Sequence, residues 1–190
     1  MRKLQIYWDM DGVLADFDSA KRRVLAGEEI HHTNDNAHAL TPEGRAQKRK
    51  VAGIIEEDPY TFFRSLLPFN EMLRLVNRTA ETHGRFSILT ATPGRLSVRG
   101  REEARRGKRD WLSAHLPVHS DLWFDPTGER ESKGAYVGRY NRDRIQVLID
   151  DRASNCKEWE AAGGTAILHT SLEDTAERLE SLQTARLISC

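Results

Sequence analysis

The chain is predicted to adopt an α/β fold with a doubly wound parallel sheet. Short apolar runs recur along it, each ending in polar or turn residues, and segments of helical spacing separate the later runs. The runs are Leu4–Trp8, Phe86–Leu89, Asp121–Phe124, Val147–Ile149 and Thr165–Leu168. Phe69–Thr82 sets Met72, Leu73, Leu75 and Val76 on one side of a helix. Glu102–Leu116, Ser132–Arg139, Ser154–Ala162 and Ser171–Leu182 also read as helices, several opened by Ser or Asn caps. Gly163-Gly164 ends one of them and leads into the last strand. Trp159 and Leu168 read as core. Strand–helix alternation of this kind favours right-handed crossovers.

The stretch from Phe17 to about His83 breaks the alternation. It is too long for one crossover and holds no strand pattern. Lys21–Ala26 and Glu43–Ile55 look helical, and His31-His32-Thr33-Asn34-Asp35-Asn36 looks like a polar loop. The expected organisation is a core of residues 1–16 and 84–190, with residues 17–83 inserted as a small helical cap. A length of 190 residues suits one such domain with an insertion.

Lys+Arg and Asp+Glu both total 29, so bulk charge argues against a protein that coats nucleic acid. A local basic patch could still hold a nucleotide. Cys156 and Cys190 lie in no CxxC or zinc spacing, which suggests a reducing compartment. Met1 is followed closely by the first strand, and no apolar run approaches the roughly 20 residues that span a bilayer. A cytoplasmic protein without membrane partners is the expectation.

In parallel α/β sheets, ligands bind beyond the carboxyl ends of the strands. Asp9-Met10-Asp11-Gly12-Val13 follows the first strand, Thr90-Ala91-Thr92-Pro93-Gly94 the second, and Asp150-Asp151-Arg152 the fourth. Any one of these alone is commonly a turn or a helix cap. Together they place four acids at strand ends, where unrelieved repulsion would be severe. A divalent cation relieves it, and hard oxygen ligands suit Mg²⁺, which takes few carboxylates plus substrate phosphate. A fixed cation for the phosphate is also needed. Lys133, upstream of the Asp150 strand, is preferred. Lys108 is its rival, although at the start of an amphipathic helix a solvated lysine is the simpler explanation.

The pattern Asp-x-Asp-Gly-Val, then a strand-end Thr, a Lys and Asp-Asp, resembles the haloacid dehalogenase (HAD) superfamily of phosphohydrolases. The resemblance implies that Asp9 attacks phosphorus to form an aspartyl-phosphate and that Asp11 serves as general acid, then base. Thr90 and Lys133 would hold the phosphoryl oxygens. Asp9, the Asp11 main-chain carbonyl and Asp150 or Asp151 would hold Mg²⁺. Gly12 would permit the turn that brings Asp11 to face Asp9.

A narrower resemblance is to the 5'(3')-deoxyribonucleotidases. Asp9–Phe17 is similar to their first motif, Phe62–Pro68 to the segment returning from their cap, and Leu148–Arg152 to their last motif. It implies base-enclosing aromatics at Phe17 and at Phe63 (or Phe62), with Ala91, Thr92 and Arg152 also on the substrate side. Ala91 stands where the family has Ser and has no hydroxyl to donate, so Thr92 is the candidate substitute. The gap from Lys133 to Asp150 is longer than usual and carries Arg139, Arg142 and Arg144.

The function implied is a Mg²⁺-dependent phosphomonoesterase acting on (deoxy)nucleoside monophosphates. A polynucleotide 3'-phosphatase or another small organic-phosphate phosphatase shares the chemistry, with the Arg95–Arg109 run lying along the strand. An ordinary solvated helix face accounts equally well for that run, since Glu102 and Glu103 interrupt it. A non-catalytic nucleotide- or protein-binding module is the alternative of another class; retention of the whole acid–lysine set argues against it. The oligomeric state is open between monomer and dimer. His31, His32 and His38 match no zinc spacing, and Cys156 reads as a packed residue rather than a nucleophile.

Overall fold

A computed structural model describes residues 3–29, 41–84, 86–116, 121–124, 132–139 and 143–188. Strands β1 (Leu4–Trp8), β2 (Ser87–Thr90), β3 (Asp121–Phe124), β4 (Ile145–Asp150) and β5 (Thr165–Leu168) form one sheet in the order β3-β2-β1-β4-β5. Every neighbouring pair is parallel. The expected doubly wound α/β class is the one observed. The strand order reverses direction at β1, so β1 and β4 flank the switch point where such sheets bind ligands.

Alternate residues of the strands serve two separate cores, as a period of two requires. Leu4, Ile6, Trp8, Ile88, Val147 and Ile149 face one core, with residues of α4 (Asn70–His83), α5 (Val98–His115) and α7 (Leu172–Ile188). Tyr7, Leu89 and Leu148 face the other, against Trp159 of α6 (Ala153–Ala161) and Tyr136. Trp159 is buried as expected, whereas Leu168 is half-buried because β5 is an edge strand.

Several boundaries move for local reasons. Helix α1 runs Phe17–Leu25, four residues earlier than its apolar pattern suggested, because the Asp16 carboxylate caps it by accepting from Ser19 N. Helix α5 likewise starts at Val98, capped by Ser97. Helix α2 (Pro42–Glu57) is capped by Thr41. The short α3 (Pro59–Arg64) has no counterpart in the sequence reading, although Asp58-Pro59 is a cap followed by proline at the first helical position. The expected helix over Ser132–Arg139 is only a 3₁₀ turn, Lys133–Tyr136. Gly134 lies so close to α6 that a Cβ there would stand 2.5 Å from the Glu158 carbonyl oxygen.

Between β1 and β2 the described residues form only the helices α1, α2, α3 and α4. The segment between α3 and α4 hydrogen-bonds to the loop after β1, with Asp16 N donating to Leu67 O and Phe69 N to Leu14 O. Helix α3 rests directly on α5, where Gly107 leaves room for the Tyr60 carbonyl and Trp111 Nε1 donates to Leu66 O at 2.7 Å. Among the described residues, no helix is long and apolar enough to cross a membrane.

Candidate active site

The sheet ladder itself positions Asp9. Its backbone N–H donates to Ile149 O at 2.9 Å, extending the β1–β4 pairing one residue past the strand. The chain then turns tightly: Leu14 N and Ala15 N both donate to Met10 O, and Gly12 N to Ala15 O. Gly12 has φ +82°, and a Cβ on it would lie 2.2 Å from Asp151 Oδ2. The glycine therefore serves the turn and also admits the Asp151 carboxylate, which the sequence could not show.

Two lysines, Lys108 buried and Lys133 nearly so, divide the acids between them. Lys133 Nζ lies 2.9 Å from Asp9 Oδ1 and 2.5 Å from Asp150 Oδ2. Burial alone would lower its pKa, but Asp150 and Asp9 outweigh burial and hold the ammonium above its ordinary value. Lys108, completely buried, reaches Asp11 Oδ2 at 2.6 Å, Thr90 Oγ1 at 2.8 Å and Ala91 O at 2.9 Å. The solvated lysine expected at position 108 is thus a correction: α5 turns that position inward beside Ala104, Trp111 and Leu112. Both rival lysines are in the site, and they do different things. All three Lys108 protons are taken by protein oxygens, which makes it a holder of Asp11 and Thr90.

Asp150 is saturated by donors. Beyond Lys133, Arg152 N and Asn155 Nδ2 both donate to its Oδ1 at 2.9 Å. Asp9, Asp150 and Asp151 each offer an oxygen within 4.8 Å of the others. Burial pushes Asp9 up to about 6, with Lys133 opposing and Asp150 and Asp11 reinforcing the shift. Burial, then Asp9 and Asp150, push Asp151 up to about 8. Acids this costly to ionise, beside a buried Asp11 Oδ1 that has no hydrogen-bond partner among the described residues, fit a divalent cation.

The other candidate residues differ in burial and in partners. Thr92 Oγ1 and Arg152 Nε are buried without a hydrogen-bond partner among the described residues. Ala91 is exposed, and its carbonyl is taken by Lys108. Phe17, Phe62 and Phe63 form one aromatic cluster with centroid separations of 5.2–6.3 Å. Phe63 is fully buried, its ring 4.8 Å from Lys108 Nζ, while Phe17 and Phe62 are half-buried against the same core. Much of the Arg95–Arg109 run is engaged within α5: Arg105 pairs with Glu102, Arg106 with Glu103, and Arg101 donates to Leu96 O. Cys156 is buried and its thiol is pushed up to about 12, first by burial and then by Asp150, so it is not an ionised nucleophile at neutral pH. His31, His32, His38, Arg142 and Cys190 lie outside the described residues.

Fold and site together define a Rossmann-like α/β protein with an acid–lysine centre at its switch point. The chain is similar to solved structures. The structure of a hydrolase from Streptococcus pneumoniae TIGR4 aligns over 95% of this chain and 100% of its own, at 14% identity and TM-score 0.56. A HAD family hydrolase from Deinococcus radiodurans R1, with bound phosphate and sodium, aligns over 85% and 78% at 16% identity and TM-score 0.48. A HAD hydrolase of family IA, variant 3, from Entamoeba histolytica HM-1:IMSS aligns over 86% and 82% at 11% identity and TM-score 0.48. No family model and no curated protein matches the sequence.

Proposed function

We propose that this chain is a Mg²⁺-dependent phosphomonoesterase of the HAD superfamily, resembling the 5'(3')-deoxyribonucleotidases and acting on (deoxy)nucleoside monophosphates. One observation carries the reading: Lys133 bridges Asp9 and Asp150 while Lys108 bridges Asp11 and Thr90, at the carboxyl ends of β1, β2 and β4. In this reading Asp9 is the nucleophile, attacking phosphorus as the P–O bond to the leaving oxygen breaks. Asp11 gives that oxygen its proton, then takes one from the water that cleaves the aspartyl-phosphate. Thr90 and Thr92 hydroxyls and the Lys133 ammonium meet the phosphoryl oxygens, with Arg152 beside them. Asp9, the Asp11 carbonyl and Asp151 hold Mg²⁺, since Asp150 is saturated by protein donors; the ion supplies charge neutralisation of the phosphoryl group. Residues 17–83 act as the cap, with Phe17 and Phe62 offering faces to a base and Phe63 packing behind them.

Metal and pH are coupled at this site. Asp9 and Asp151 have pKa values raised from an ordinary 3.8 to about 6 and about 8, so metal-free stability from these two groups is complete below 3.8 and lost as pH rises through those values. Mg²⁺ binds the deprotonated forms. Mg²⁺ is therefore expected to raise the melting temperature clearly at pH 8 and hardly at pH 5. An equal rise at both would show that the ion binds elsewhere. EDTA should abolish turnover.

The deciding experiment is a phosphate-release screen across nucleotides, sugar phosphates and an aryl phosphate with Mg²⁺ present. Nucleoside monophosphates are expected to lead. Phe17→Ala should raise KM for nucleotides about tenfold, from the ~1–3 kcal/mol of a stacked base, and leave the aryl phosphate little changed. Equal effects on both substrates would assign Phe17 to packing alone.

A further inference from the structure

A cleft of about 530 Å³ opens between α2 and the loop after β2, lined by Arg49, Ala52, Gly53, Glu56, Arg95 and Ser97, with Leu96 beneath. Arg49, Ala52, Gly53 and Glu56 share one face of α2 at helical spacing. Both arginines are exposed, and neither has an ion-pair partner among the described residues. The single carboxylate in the cleft is already engaged: Glu56 accepts from Ser97 N at 3.0 Å and from the Ser97 hydroxyl at the amino end of α5. The Ser97 hydrogen bonds hold the Glu56 carboxyl below its ordinary pKa and so ionised, which leaves two guanidinium groups against one carboxylate, a net single positive charge, around a small-residue floor. A Cβ on Gly53 would meet nothing within 4 Å, so the floor is open. Arg95 lies three residues after Thr92, which limits their separation to about 11 Å of chain.

We infer that this cleft binds a second phosphate group of the substrate, distinct from the one hydrolysed, and that Arg49 and Arg95 select for substrates carrying two phosphoryl groups. Guanidinium forks pair with phosphate oxygens in a way that a generic surface cation does not. Two sources share this chemistry: the second monoester of a nucleoside bisphosphate, and the backbone diester of a 3'-phosphorylated oligonucleotide. The inference rests on the phosphatase reading and places doubly phosphorylated nucleotides ahead of the monophosphates within it.

The test is calorimetric binding to the full-length Asp9→Asn protein with Mg²⁺, so that nothing is consumed. Deoxyadenosine 3',5'-bisphosphate or a 3'-phosphorylated dinucleotide should bind about tenfold more tightly than deoxyadenosine monophosphates, the effect of one charged hydrogen bond. Adding Arg49→Ala and Arg95→Ala should erase that gap, and so should Gly53→Leu, which fills the floor without altering either arginine. Leucine is the better helix former, so this variant folds. A gap confined to the bisphosphate assigns the cleft to a small substrate, and one confined to the dinucleotide to a polynucleotide end. No gap in the parent, or a gap that survives both sets of changes, overturns the inference. Phosphate release by the unaltered protein is a separate reading: its absence alongside an arginine-dependent gap would sink the catalytic proposal and leave this one standing.

Discussion

If Asp9 is the nucleophile proposed above, Asp9→Asn is expected to lower phosphate release by about four orders of magnitude or more, because the partners of a nucleophile act as one unit. The fold should survive. Asparagine has nearly the same shape, the ladder bond from residue 9 to Ile149 O is a backbone bond, and Lys133 keeps Asp150 at 2.5 Å. The Asp9 carboxyl is pushed up to about 6 mainly by burial, so its contribution to metal-free stability falls as pH rises from 3.8 through 6. The variant should therefore equal the parent protein in urea only below about pH 3.8 and gain on it as pH rises through 6, with the full gap reached by pH 8. Activity near the parental level would remove Asp9 from the chemistry. A large loss of stability at pH 8 would mean that the Lys133 pair outweighs the burial cost.

Lys108→Met should be damaging twice over. Removing the ammonium leaves the Asp11 carboxylate, Thr90 and the Ala91 carbonyl without their shared donor in a site that already holds three other acids. Breaking a buried pair on one side costs about 3–5 kcal/mol, and misplacing the acid–base group should lower kcat by a further ~10²–10³-fold. Urea unfolding separates the two effects. Adding Asp11→Asn to Lys108→Met should recover much of the stability and none of the turnover, because the pair then has no unpaired charge. A single variant as stable as the parent protein would show that Lys108 holds nothing at Asp11. Lys133→Met gives the comparison: it strips a cation from Asp9 and Asp150 instead, so it should depress turnover without displacing Asp11.

The architecture was legible because strand and helix periods are local properties. All five strands coincide with apolar runs, and the acids stand at strand ends in the order the resemblance requires. Lys108 carried a readable signal as well: positions 104, 108, 111 and 112 form one buried stripe of α5, and the lysine sits on it. A charged residue on an apolar stripe argues for a buried partner, but the partner itself, 97 positions away, is no local property.

The sequence by itself determined the parallel α/β class, the strand-end placement of Asp9, Asp11, Thr90 and the Asp150-Asp151 pair, and the helical nature of the insertion. Alternation, capping and turn chemistry act over a few residues. Only the tertiary structure decided which lysine serves which acid, that Gly12 makes room for Asp151, that Phe63 is sealed while Phe17 and Phe62 are half-buried, and that Arg49 and Arg95 line one cleft. Each of these depends on where α2, α3 and α5 settle against one another and against the sheet. That packing is fixed by close approaches between distant segments, such as Gly107 against Tyr60, which no spacing along the chain encodes.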